Sequence, residues 1–205
     1  MGTVKWNISA GAVLLLALMY FFDGSGLVSA LAAAALFHEA GHYVLLRVFG
    51  ARVTRVSLSV FGLEMDYAGM LSAGKAAACI AAGPAAGAVY ALAAHWSKTR
   101  FGQVSGAVSL ALTCFNLLPV LPLDGGRLLC AVLGERRGAA ASRAASLVLA
   151  ALGLLLLLQR RAAGAAAMGL WLACCNFRHG RLLFFPGKWY RMASLCFGRK
   201  TWTKD

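Results

Sequence analysis

Two imidazoles and a carboxylate stand within five residues at His38-Glu39-Ala40-Gly41-His42. On a helix, positions i and i+4 share a face with side chains roughly 5–6 Å apart, so His38 and His42 can reach one metal ion. Glu39 lies one position round from His38, behind a metal-held water rather than on the metal. The spacing divides labour as an H-E-x-x-H zinc site requires: two neutral imidazole ligands, and a carboxylate to take a proton from the attacking water. Short motifs of this kind also arise by chance in soluble helices. The surroundings argue against chance here. Leu27 to Leu36 is Leu, Val, Ala and Ser alone, and Tyr43-Val-Leu-Leu46 continues the apolar run as far as Arg47. Ionisable groups at membrane depth cost several kcal/mol and are kept where they pair or work.

A second constellation is Asn116-Leu-Leu-Pro119-Val-Leu-Pro122-Leu-Asp124-Gly-Gly-Arg127. Two prolines three apart and a glycine pair cannot sustain a regular helix, and irregular backbone at membrane depth survives where protein buries it or where it lines a wet cavity. Asp124, presented by this broken segment, suits a third zinc ligand and leaves a fourth position for water. The alternative is an Asp that caps a helix starting near Gly125. Asn116 could point its amide at a substrate carbonyl, although Asn in a membrane helix also serves as glue between helices. Other candidates carry plainer readings. Glu64 and Asp66 suit the solvated face of a strand, and neither Glu64 nor Glu135 lies in a helical ligand pattern. His95 neighbours Trp96 and Lys98, as expected of a membrane interface. His179 belongs to a basic surface set.

The elements that must hold these residues are predominantly apolar. Of the 205 residues, 60% are hydrophobic and 13% charged, and the mean hydropathy is +0.72. Apolar runs near 8–22, 27–49, 76–96, 102–121, 144–159 and 162–177 approach the ~20 residues that cross a ~30 Å hydrocarbon core, the last two being short. The expected fold is therefore an all-α polytopic membrane protein of about six transmembrane helices. A formal charge of +13 would suggest nucleic acid in a soluble protein. Here the bases lie between apolar runs, so orientation explains them and no nucleic-acid partner is expected. With a cytoplasmic N-terminus and six crossings, all Lys and Arg except Lys98, Arg100, Arg160 and Arg161 fall on the cytoplasmic side. That bias predicts both termini in the cytoplasm.

Between the second and third runs the period drops to two. Val56, Leu58 and Val60 alternate with Ser57 and Ser59, and Leu63, Met65 and Tyr67 alternate with Glu64 and Asp66. This predicts a short membrane-associated β-hairpin turning at Phe61-Gly62, with an edge strand able to pair an extended peptide. In the third run, Gly83 and Gly87 form a small-xxx-small surface for close helix contact, with no chemistry of its own expected there. Arg136 to Arg143 reads as a short connection, and the two runs after it as scaffold. Cys79, Cys114, Cys174 and Cys175 fall in apolar runs, where free thiols are expected. The domain reading is a core over 1–177 and a basic aromatic tail over 178–205 suited to the anionic headgroups of a lipid bilayer.

Taken together, H-E-A-G-H in an early membrane helix, the Gly-Pro-containing third run and N-L-L-P-V-L-P-L-D-G-G-R resemble the site-2 protease family of intramembrane zinc metalloproteases, over roughly residues 27–130. In size and helix count the chain is most similar to the six-helix, stage IV sporulation protein FB group, whose members cleave a membrane-associated pro-sigma factor. The resemblance implies His38, His42 and Asp124 as Zn2+ ligands, Glu39 as general base, and Asn116 as a residue that orients substrate or faces the oxyanion. It implies a transmembrane or membrane-associated protein substrate, a place in a bacterial cytoplasmic membrane, and room for an inhibitory membrane protein partner. The chain departs from the pattern at Gly87, where many members have Asn. No PDZ-like insert separates the motifs, and the tail is too short for a nucleotide-sensing CBS domain. The competing class is a zinc-binding membrane pseudoprotease or chaperone that holds a helix without cutting it, and an intact Glu39 argues against that.

Overall fold

The computed structural model describes residues 4–59, 62–158 and 163–182. Its elements run β1 (Lys5–Ile8), α1 (Ala10–Phe22), α2 (Leu27–Val48), β2 (Arg52–Ser59), β3 (Gly62–Ala68), α3 (Ala73–Trp96), α4 (Arg100–Asn116), α5 (Asp124–Leu133), α6 (Glu135–Leu158) and α7 (Ala163–Leu182). Packing divides the described chain into two compact units that meet in sequence at Cys114 and Phe115.

In the first unit, local chemistry sets where each helix starts. The Ser9 hydroxyl accepts the Ala12 amide at 3.2 Å and caps α1. Asp23 organises the entry to α2: its carboxylate accepts the Ser25 amide at 3.0 Å and the Val28 amide at 2.7 Å, the second a donor that a helix start leaves unpaired. The Ser25 hydroxyl first, and the Val28 amide second, hold the Asp23 pKa down to about 2. Ser72 accepts the Lys75 amide at the start of α3.

The expected hairpin is present, with β2 and β3 antiparallel from Arg52↔Ala68 to Ser59↔Gly62. Phe61, named for its turn, lies outside the described residues. Val53, Val56 and Met65 are its buried side chains. Val53 and Val56 are an odd number of residues apart and share the buried side because a register shift falls between Val53 and Arg55. The hairpin is not alone: β1 pairs parallel with β2, from Lys5↔Arg55 to Ile8↔Leu58, giving a three-stranded sheet in the order β1-β2-β3. A parallel pair needs a long crossover, which α1 and α2 supply. The first apolar run thus begins as a strand, and β2 is an inner strand rather than an edge.

Two further differences concern the later runs. The second unit contains a separate ten-residue helix, α5, and α6 starts at Glu135, so Arg136 to Arg143 is helical rather than a connection. Ala and Arg are both strong helix formers, which permits this. By length and composition, α3 and α6 can each cross a membrane; α1 and the segment Ala166–Asn176 are apolar but shorter. The tail beyond residue 182, with Cys196, lies outside the described residues, and Cys79, Cys114, Cys130, Cys174 and Cys175 are free thiols.

Polarity is distributed inside out. Ser105, Ser109 and Thr113 of α4, Ser142 and Ser146 of α6, and Asn176 of α7 are buried, whereas Leu14, Leu16 and Phe21 of α1 and Leu147, Leu152 and Leu155 of α6 are exposed. Exposed apolar surface on this scale is costly in water and ordinary against lipid, where packed helices turn small and polar side chains toward each other.

Candidate metal centre

The helical period of α2 places His38 and His42 on one face, and their Nε2 atoms lie 3.3 Å apart. Two imidazoles bound tetrahedrally at Zn–N distances of about 2.0–2.1 Å would bring their nitrogens to roughly 3.3 Å apart, so the pair has the separation that a shared zinc ion needs. His38 is buried, and its neighbour on the same turn, Glu39, is half-buried.

The α3 helix supplies the wall behind this pair. His42 Nδ1 lies 2.8 Å from the Cys79 carbonyl oxygen; as the donor to that oxygen it leaves Nε2 with its lone pair turned to the metal position. Gly83 stands directly against the same ring, where a Cβ would come within 2.1 Å of His42 Nε2. Gly41, inside the motif, lies so close to α3 that a Cβ would fall 2.3 Å from the Ala82 carbonyl oxygen. The close contact expected of Gly83 is therefore present, and the group it is made with is the His42 ring. Without Gly83 the His42 ring could not occupy its place.

In the second unit, α4 ends at Asn116, which is half-buried, and an irregular stretch leads to Asp124. The stretch closes through main-chain bonds from Leu118 to Phe115 and from Leu123 to Val120, and its Leu121-Pro122 peptide is cis. Val120, fully buried, packs with Leu123 and Leu172 and anchors it. Asp124 is the first residue of α5, whose N-cap is Leu123, so its carboxylate does not cap the helix. Arg127 donates to Asp124 Oδ1 at 3.1 Å. Asp124 itself is 6% exposed. The ligand atoms of His38, His42 and Asp124 fall within 4.8 Å of one another, a donor set that could hold a metal ion.

Two residues that support Asp124 escape the sequence reading. The Ser142 hydroxyl accepts the Leu121 amide at 2.7 Å and the Asn176 side-chain amide at 2.7 Å, and Asn176 also donates to the Ser142 carbonyl at 3.1 Å. Both residues are buried. They tie α6 and α7 to the backbone three residues before Asp124. Their one signal in the sequence is polarity inside runs of Leu and Ala. The remaining candidates stay apart: His95 is exposed at the end of α3, and Asp66 lies on β3 facing Arg55 at 4.0 Å.

Residues 66–159 match the family model described as Peptidase family M50. Over that stretch the chain is similar to Peptidase family M50. Asn116 and Asp124 fall inside the matched M50 residues, and His38, Glu39 and His42 precede them. Similar proteins include Rip3 of Mycobacterium tuberculosis, 38% identical over 135 residues that cover 60% of this chain and 34% of that protein. Another is sll0528 of Synechocystis sp., 34% identical over 128 residues covering 55% of this chain and 33% of that one. Both carry zinc metalloprotease names. The chain spans about a third of the length of these curated relatives. In fold, the chain resembles the site-2 protease from Methanocaldococcus jannaschii, with a TM-score of 0.61 and 18% identity over 91% of this chain and 95% of that one.

Proposed function

We propose that the protein is an intramembrane zinc metalloprotease that hydrolyses a peptide bond of a membrane-embedded or membrane-associated protein. The observation that carries this reading is the 3.3 Å approach of two imidazole nitrogens, buried among apolar helices, with a carboxylate on the same turn. His38, His42 and Asp124 would hold the zinc. Bound there, zinc acts as a Lewis acid that makes a water nucleophilic near neutral pH and withdraws charge from the carbonyl oxygen.

The chain's own residues do the rest. Glu39 takes the proton of the attacking water and returns it to the leaving amine. Asn116 donates its amide to the substrate carbonyl oxygen, in the manner of an oxyanion donor. Cys79 fixes the tautomer of His42, and Arg127 occupies one oxygen of Asp124, so each ligand presents a single atom. A peptide bond must leave its helix to be cut, and β3, which ends the sheet, suits strand addition to the unwound segment. Because β1 covers the other side of β2, β3 takes the role that the sequence assigned to the hairpin as a whole.

Six crossings by α1, α2, α3, α4, α6 and α7, with both termini in the cytoplasm, agree with the exposed leucines and with the placement of Lys and Arg. The core over 1–177 would then do the chemistry while the tail over 178–205 lies on lipid. A pro-sigma factor as substrate and a bacterial cytoplasmic membrane as location follow from the resemblance to the sporulation group.

Glu39→Gln tests the chemistry. Incubated with membrane proteins in liposomes, the variant should yield no cleavage products that the wild type yields, while binding zinc in the same amount. Cleavage by the purified variant would remove Glu39 from the proton transfers.

A further inference from the structure

We infer that Thr113 is the positioning residue for His38, its hydroxyl accepting the Nδ1 proton of that ring across the hollow left by Gly87; this rests on the metal reading above. Two ligands of that reading have an outer partner in hand, His42 on the Cys79 carbonyl and Asp124 on Arg127. Metal-bound histidines generally donate their second ring nitrogen to such a partner, which sets the tautomer and the ring angle. For His38 the structure offers a specific acceptor.

Gly87 lies on α3 one turn beyond Gly83. A Cβ built on it would stand 2.5 Å from Thr113 Oγ1, 3.7 Å from Ser109 Oγ and 3.8 Å from His38 Nδ1. Three polar atoms from α2 and α4 thus ring one small hollow on α3. Ser109 spends its hydroxyl proton on the Gly87 carbonyl at 2.8 Å. Thr113 is 5% exposed, and its Oγ1 makes no hydrogen bond among the described residues. A buried hydroxyl without a partner is costly, so its place beside a ligand imidazole calls for a use. A small shift of the ring, or one water seated over Gly87, closes the gap, and a water in such a polar hollow is nearly as good as a direct bond. The arrangement also gives a reason for glycine at 87. Any side chain there would fill the space through which Thr113 reaches His38, so the hydroxyl of α4 does from one side what a polar residue on α3 could do from another.

The test uses the full-length protein in detergent, stripped of metal, with zinc affinity measured by chelator competition and ligand geometry by the visible absorption of the Co2+-loaded form. Thr113→Val keeps the shape and removes the hydroxyl. It should weaken zinc binding roughly tenfold or more and change the cobalt bands, whereas Thr113→Ser should restore both. Ser109→Ala, which loses a hydrogen bond in the same layer, should leave zinc affinity and the cobalt spectrum at wild-type values. Wild-type affinity in Thr113→Val, or an equal loss in Ser109→Ala, would overturn the assignment while leaving the metal reading intact. Failure of the wild-type protein to bind zinc at all would remove the metal reading and this inference with it.

Discussion

The two units hold their metal-binding candidates by opposite means. In the first, His38 and His42 ride on a regular 22-residue helix, and the work of support is done by the absence of side chains: Gly41 and Gly83 let α2 and α3 approach until the His42 ring lies on bare backbone. In the second, Asp124 follows seven residues of irregular chain, and its support is added chemistry. The Ser142 hydroxyl gathers the loop amide and Asn176 at 2.7 Å each, and Val120 is sealed in the apolar core. A helix brings two ligands together through its own period, so what it needs is room. A loop has no period to rely on, and buried hydrogen bonds must fix its path.

This contrast predicts a ranking. Gly83→Ala should have the largest effect, because its Cβ would overlap the His42 ring and the backbone there cannot yield without parting α2 from α3. Zinc affinity should fall by roughly a hundredfold or more, beyond the usual range for an outer partner, while helix content by circular dichroism stays near wild type. A zinc affinity equal to wild type would show that the close approach of α3 to His42 is not needed. Asn176→Leu should act more mildly. It removes two hydrogen bonds from Ser142 but leaves the bond from Leu121, costing about 1–3 kcal/mol of stability and weakening zinc binding roughly tenfold. If Asn176→Leu proved the more damaging of the two to zinc binding, the loop rather than the helix pair would be the stricter constraint.

How much of this was legible in the sequence differs between the units for the same reason. The His38-His42 pair could be read because helical spacing alone brings the residues together, and the break before Asp124 could be read because prolines and glycines forbid a helix there. Ser142 and Asn176 could not. A polar residue in an apolar run announces that it needs a partner, but its partner is 21 or 34 residues away and depends on packing. The β1 strand was hidden because Lys5–Ile8 is four exposed residues, too short for its alternation to stand out, and its pairing with β2 is fixed only by the long crossover through α1 and α2. The first turns of α6 read as a connection because basic, small residues suit a loop as well as a helix. Gly83 was legible as a packing residue; that the object packed against it is the His42 imidazole requires the register of α2 on α3.

The central claim is that His38, His42 and Asp124 together hold one zinc ion. It is tested most directly by X-ray absorption at the zinc edge on the purified wild-type protein, compared with Asp124→Ala. The account predicts one zinc per chain in the wild type, with two imidazole nitrogens and oxygen ligands at about 2.0–2.2 Å, and loss of tight binding in Asp124→Ala. A sulfur shell near about 2.3 Å, or full zinc occupancy with unchanged spectra in Asp124→Ala, would contradict it.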